Sequence, residues 1–328
     1  MRKWSAIIII TGSIIFFQVR RSIFNTSNQE IAVVDSANCW TGAGIYQIPV
    51  DSIGLLIRYG RELIRNTAYY LGPKGIVSHT TNGMNCQNCH LDAGTKPWGN
   101  NYGAVASLYP KKRDRSNKIE SIEMRVNDCL QRSLNGQSLN SLSKEMRAIV
   151  AYIKWVGKEI PKGTKPKGTG IEDLAYLLRA ADPAKGKQYY FTNCSKCHAA
   201  NGAGMPASNG IGFLYPPLWG MNSYNDGAGL YRLSRFAGFI RNNMPNPTNY
   251  HHPTISTEEA WDIAAYVNSQ PRPHKDQSGD WPNRSKKPVD FPFGPYTDSF
   301  YEKQHKYGPF NDISIARKNK TSNFKPIN

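Results

Sequence analysis

The sequence predicts an all-α protein: two small helical domains in tandem, followed by an extended C-terminal tail. Three observations lead there. Helical apolar periodicity recurs in two separate sets, each with one helix before and one after a long irregular loop. The same string, Cys-x-x-Cys-His, stands in each set, at residues 86–90 and 194–198. Strand alternation is scarce throughout. At 328 residues the chain exceeds the usual size of one domain. A hydrophobic content of 39% leaves enough for two modest cores, both of which would gain from a large apolar cofactor.

Arg2 and Lys3 precede an apolar run over 6–19, broken by Thr11, Gly12, Ser13 and Gln18, and Arg20 and Arg21 follow it. That run suits an export signal better than a membrane span, which needs about 20 apolar residues. Residues 1–22 are therefore expected to be a signal peptide or an N-terminal membrane anchor, the former favoured, although no clear small-residue cleavage site follows.

The first domain is set at 39–162. Its opening helix, over 51–70, places Ile53, Leu56, Ile57, Gly60, Leu63 and Ile64 on one face. A Gly- and Asn-rich loop leads to Cys86, and Ser143 caps a later helix carrying Met146, Ile149, Val150 and Ile153. Proline, lysine and glycine from 161 onward give a linker, set at 163–171.

The second domain, 172–271, opens its first helix at Asp182-Pro183, with proline in the first turn. Gly186, Tyr190, Cys194 and Cys197 follow at helical spacing. Ser256 with Glu259 makes a capping box for a helix carrying Trp261, Ile263, Ala264 and Val267, ending before Pro271. Residues 272–328 lack either period and are expected to lie over the domains as a tail without a third core.

Cys86 with Cys89, and Cys194 with Cys197, are spaced to meet the two vinyl groups of one haem, and His90 and His198 then reach the iron. Two covalently bound c-type haems are expected. A zinc ribbon pairs its Cys-x-x-Cys units across about 15–20 residues, and a thioredoxin-like pair needs an α/β pattern; neither fits.

The second iron ligands must come from the loops. In the second domain Met205 is too near His198, Met221 is a candidate, and Met244, followed by Pro245 just ahead of the last helix, is best placed. In the first domain Met124 and Cys129 stand as equal candidates, with Met146 less suited and His79 a fallback. In an oxidising compartment Cys39 and Cys129 would by default pair as a disulfide.

The formal net charge is +17, and its densest cluster, Lys111, Lys112, Arg113, Arg115 and Lys118, sits inside the first domain. Export argues against nucleic acid, which leaves anionic lipid, an acidic protein or a small anion as partners.

The chain resembles the bacterial dihaem thiosulfate dehydrogenases, periplasmic cytochromes that couple thiosulfate into tetrathionate. The resemblance spans about 51–271. It rests on Asn85 to Gly94 around the first haem string, on Arg125-Val126-Asn127-Asp128-Cys129, and on Arg132-Ser133-Leu134-Asn135-Gly136. Pro216-Pro217-Leu218-Trp219-Gly220, Ser223-Tyr224-Asn225 and Asn243-Met244-Pro245 add to it.

The resemblance implies that Cys129 is the sixth ligand of a catalytic first haem and Met244 that of an electron-relaying second haem. It implies that Arg125, and less firmly Arg115, bind thiosulfate. Some relatives place a competing lysine just before the methionine, where this chain has Asn243.

Guanidinium groups suit the oxygens of a small dianion, and a thiolate at low-potential iron sends electrons toward the thioether-ligated haem. The acceptor would be a soluble or membrane redox partner. The competing readings are a non-catalytic electron carrier and an enzyme on another sulfur anion, including tetrathionate reduction. Cys129 beside Arg125 speaks against the plain carrier.

Overall fold

The computed structural model describes residues 39–322; the N-terminal apolar run lies outside them. The first domain contains α1 (Ser52–Arg65), α2 (Thr67–Leu71), α3 (Leu91–Gly94), α4 (Val105–Leu108), α5 (Ile122–Arg132) and α6 (Lys144–Val156). The second contains α7 (Pro183–Asn193), α8 (Ser195–His198), α9 (Leu233–Asn243) and α10 (Thr257–Ser269), and α11 (Glu302–Tyr307) and α12 (Phe310–Ser322) follow. Two antiparallel ribbons complete the described residues: β1 (Lys111–Arg113) with β2 (Lys118–Glu120), and β3 (Met205–Pro206) with β4 (Phe213–Tyr215).

Both domains use one crossing. In the first, α1 packs on α6 so closely that a Cβ at Gly60 would stand 1.9 Å from the Ala148 carbonyl oxygen. In the second, α7 packs on α10, and a Cβ at Gly186 would stand 1.8 Å from the Asp262 carbonyl oxygen. Helix axes approach this far only where one side presents no side chain. The flanking caps form as expected: Ser143 accepts from the Met146 N–H, Asp182 from Ala184 and Lys185, and Ser256 with Glu259 closes a capping box.

The stripe on α1 differs from expectation at both ends. Ile57, Gly60, Leu63 and Ile64 are buried, but Ile53 is 62% exposed, and in the first turn Gly54 is the buried residue. The helix also breaks at Asn66, whose side chain turns back to Glu62, and restarts as α2. The restart has a consequence for the loop that follows. The Ala68 N–H reaches the Asn85 side chain at 2.8 Å, and the Thr67 hydroxyl accepts from the Cys86 N–H at 2.9 Å. The break thus seats the first Cys-x-x-Cys-His string.

Beyond Pro271 the chain covers both domains, and it includes two helices as well as extended stretches. Phe310 and Ile313 of α12 enter the second domain's apolar core, and Asp290 pairs with Arg232 at 2.6 Å with its carboxylate fully buried. A smaller apolar cluster joins Leu71, Met84, Leu130 and Leu134 to Tyr224 and Ala228, fixing one domain against the other.

Candidate functional site: two haem cradles and a cation-lined cavity

Turn geometry places the first string. Asn88 accepts from the Asn85 N–H at 2.7 Å, closing the turn over Cys86–Asn88. The His90 N–H then bonds the Cys86 carbonyl at 2.9 Å, leaving the histidine one turn beyond the first cysteine. His90 Nδ1 donates to the Asn100 carbonyl at 2.5 Å, which commits that nitrogen and leaves Nε2 for a metal. Tyr102 stacks on the ring at 4.5 Å. Burial, with Arg125 adding, pushes this imidazole down to about 4 against the pull of the Asn100 bond, so it stays neutral and able to ligate.

Cys86, Cys89 and His90 line a cavity of about 250 Å³ with Leu71, Leu108, Ile122, Val126, Leu130, Ile149 and Ile153. Cys129 stands in the same wall.

The second site repeats the plan. His198 Nδ1 donates to the Pro216 carbonyl at 2.8 Å, and burial lowers its pKa. Cys194, Cys197 and His198 share an apolar cavity of about 310 Å³ with Met244, Leu218, Tyr224, Phe236, Ile240 and Ile263.

These residues fit the group that the sequence implies. Each cradle offers two thiols and a neutral histidine whose free nitrogen is Nε2, and sulfur from Cys129 or Met244 shares the cavity. Among the described residues no three His, Cys, Asp or Glu side chains could hold a bare ion, whereas a haem iron asks the protein for two axial ligands only. Cys89 lines both cradles; the two sites share a wall.

The methionine alternatives line neither cavity. Met124 is 45% exposed, Met205 41% and Met221 77%, while Met146 is fully buried in the first core and lines neither cavity. His79 is exposed and bonded to the Pro73 carbonyl. Cys39 and Cys129 are both unpaired, so the default disulfide is absent.

A third cavity, about 310 Å³, opens beside the first cradle and shares Cys89, His90, Arg125 and Cys129 with it. Its walls carry Arg113, Arg115, Arg132, Lys165, Arg232 and Arg235 as well. Arg125 Nη1 lies 3.1 Å from Cys129 Sγ and 3.1 Å from Asp128. Its electrostatic interaction with Cys129, with Asp128 adding, holds the Arg125 guanidinium above its ordinary range.

Asp128 also receives Arg132 at 2.6 Å and Arg115 at 3.8 Å. Burial works against its ionisation, but these three arginines outweigh it and hold the carboxyl below the usual range. Soft sulfur at an apolar cradle therefore faces a cavity that attracts anions.

The expected pair, Arg115 and Arg125, is brought together with Cys129, although Arg115 is buried and not on the surface. Within the basic cluster, only Arg113 and Arg115 reach the cavity; Lys111, Lys112 and Lys118 are exposed on the β1–β2 ribbon. Sequence reasoning did not select Asp128 and Arg132, whose spacing of three and seven from Arg125 puts them on one face of α5. It also did not select Lys165, Arg232, Arg235 or Trp281, which come from the linker, the second domain and the tail.

The family description "SoxA/TsdA, cytochrome c domain" matches residues 77–161, and "Cytochrome c" matches 183–271. A thiosulfate dehydrogenase of Psychrobacter arcticus is 35% identical over 237 residues, covering 72% of this chain and 69% of that protein. One from Stutzerimonas stutzeri is 35% identical over 226 residues, covering 69% and 70%. One from Allochromatium vinosum is 34% identical over 230 residues, covering 69% and 82%. The structure of thiosulfate dehydrogenase (TsdBA) from Marichromatium purpuratum superposes with a TM-score of 0.65 at 30% identity, over 73% of this chain. The chain spans half the length of that structure.

Proposed function

Because the chain belongs to the thiosulfate dehydrogenases, dihaem c-type cytochromes with both haems covalently bound, we propose that it oxidises thiosulfate to tetrathionate at its first haem site. Cys86 and Cys89 would attach that haem, and His90 and Cys129 would hold its iron. Cys194 and Cys197 would attach the second, and His198 and Met244 would hold its iron. The domain limits follow as 39–162 and 172–271.

When bound, each haem supplies a one-electron iron couple, so the pair matches the two electrons that leave when two thiosulfates join through a new S–S bond. No proton is released in that balance, and accordingly the site needs no general base. What it needs is charge and orientation. Arg125 and Arg115 offer forked donors to thiosulfate oxygens while leaving the outer sulfur free to react. The contact from Arg125 to Cys129 Sγ keeps anion and sulfur chemistry within one side chain's reach.

This observation, a cysteine sulfur in the wall common to an apolar cradle and a cation-lined cavity, carries the reading. It also favours the enzyme over a plain carrier, which has no use for an anion site.

The periplasm is the proposed location and a soluble or membrane redox protein the proposed acceptor. The support is the exported habit of c-type cytochromes together with the apolar run at 6–19. Among the described residues no helix is long and apolar enough to cross a membrane.

The test is holoprotein given thiosulfate and ferricyanide, with tetrathionate assayed. Wild type reduces the acceptor. Cys129→Met retains both haems and loses at least about a hundredfold in turnover, the scale on which a group acting only in the transition state is felt. Unchanged turnover in that variant removes Cys129 from the mechanism, and a wild type silent to thiosulfate returns the protein to the carrier class.

A further inference from the structure

The cavity beside Cys129 is completed by a part of the chain that neither family description reaches. Both matches end by residue 271, yet Trp281 lines the cavity. The segment is tied down on either side of it. Upstream, Asp226 accepts from the Lys275 N–H at 2.8 Å, contacts His274 Nδ1 at 2.7 Å, and donates its own N–H to the Pro273 carbonyl at 3.1 Å. Downstream, Asp290 takes Arg232 and the Ser234 hydroxyl.

Between these ties Asp280 accepts from Arg132 Nη2 at 2.8 Å and lies 3.9 Å from Arg115 Nε. The Trp281 N–H donates to the Arg115 carbonyl at 2.7 Å, and its ring stands 5.8 Å from the Arg115 guanidinium. Trp281 holds φ at 58° to do so, a conformation that a bulky residue keeps only when its surroundings impose it.

We propose that Asp280 and Trp281 are positioning residues of the anion site, setting Arg115 and Arg132 so that both Arg115 and Arg125 are left to substrate. The proposal takes its substrate from the thiosulfate reading above. The physical need is plain: three guanidiniums, Arg115, Arg125 and Arg132, converge on the single carboxylate of Asp128. One carboxylate has about four lone-pair sites and cannot fix three forks at once.

Asp280 supplies the second acceptor, and Trp281 offers a face on which a guanidinium stacks. The Gly227 carbonyl, from the second domain, accepts from both Arg115 and Arg132, at 3.1 and 3.4 Å. Without Asp280, Arg132 loses its second acceptor and Arg115 the counter-charge 3.9 Å from its Nε, and both compete with Arg125 for Asp128.

The test separates positioning from charge, because the two predict opposite signs. Asp280→Asn removes a negative charge near the cavity, so electrostatics alone predicts tighter anion binding. The positioning role predicts weaker binding. Sulfate, a dianion that does not react, is titrated into oxidised holoprotein by calorimetry, and thiosulfate kinetics are measured with both haems verified by spectrum. Asp280→Asn and Trp281→Leu are expected to weaken sulfate binding and raise KM about tenfold, the loss of roughly one oriented charged contact. They leave kcat within about twofold. Asp280→Glu and Trp281→Phe recover most of the loss.

Tighter or unchanged sulfate binding in Asp280→Asn overturns the proposal. If that variant does not assemble, the Leu and Phe variants of Trp281 decide it, and equal binding by the two overturns it. Should wild type fail to oxidise thiosulfate, the functional reading falls while the sulfate titration still judges the placement.

Discussion

Arg125, Asp128, Cys129 and Arg132 occupy one face of α5, and their contacts make the chemistry of the site a property of a single helix. Arg125 reaches Asp128 and Cys129 through one nitrogen, Nη1, which leaves the rest of its planar fork for an anion; lysine would keep the charge but not the fork. Arg125→Lys is expected to lower kcat/KM for thiosulfate by about tenfold to a hundredfold, one to two contacts' worth, with both haems in place. Steady-state kinetics with ferricyanide measures it, and a wild-type value would show that charge alone suffices. This face was legible in the sequence in part. Cys129 is visible as one of two cysteines outside the haem strings and Arg125 through the resemblance, whereas nothing in the sequence separates Asp128 and Arg132 from charges on a solvated helix face. Asp280 and Trp281 carry no periodic signature; only the tertiary path of the tail brings them to Arg115.

At the scale of elements, the sequence showed what local chemistry decides. The caps at Ser143, Asp182 and Ser256 need only neighbouring residues, and all three form. The break at Asn66 was not legible, since the apolar stripe runs through it; what it serves is a partner 19 residues away, the Cys86 N–H on Thr67. Helix α12 was missed for a related reason, because among its described side chains only Phe310 and Ile313 are buried in the core, too few to mark a face. The paired crossings give a sharper expectation. A methyl group at Gly60 would meet the Ala148 carbonyl at 1.9 Å, so α1 and α6 must part. Gly60→Ala is expected to cost about 1–3 kcal/mol, the usual range for overpacking, even though alanine favours the helix by up to about 1 kcal/mol. Urea denaturation of the holoprotein measures it. Stabilisation would mean that the crossing relaxes freely.

Taken as a whole, the molecule is a pair of cradles sharing the wall at Cys89, with the tail strapped across the cation-lined cavity. The strap depends on Asp290, whose buried carboxylate is bonded twice by Arg232 and twice by Ser234. Burial alone would keep Asp290 protonated; Arg232 first, then Ser234, outweigh it and hold the carboxyl below its ordinary range. The sign of the resulting pH dependence follows. A carboxyl depressed in the folded state stabilises it at every pH above the unfolded value, about 3.9, and the contribution fades as pH falls toward the folded value. Asp290→Asn takes the buried counter-charge from the partly exposed Arg232 and is expected to cost about 1–3 kcal/mol at neutral pH. The gap to wild type should narrow below about pH 4, where the unfolded carboxyl takes up its proton while the native one is still charged. Because Arg232 also lines the cavity, the variant should bind sulfate more weakly at neutral pH even where it remains folded. Urea melts of both proteins across this range supply the comparison, and a stability gap that stays constant into acid would mean that Asp290 acts through packing and not through its charge.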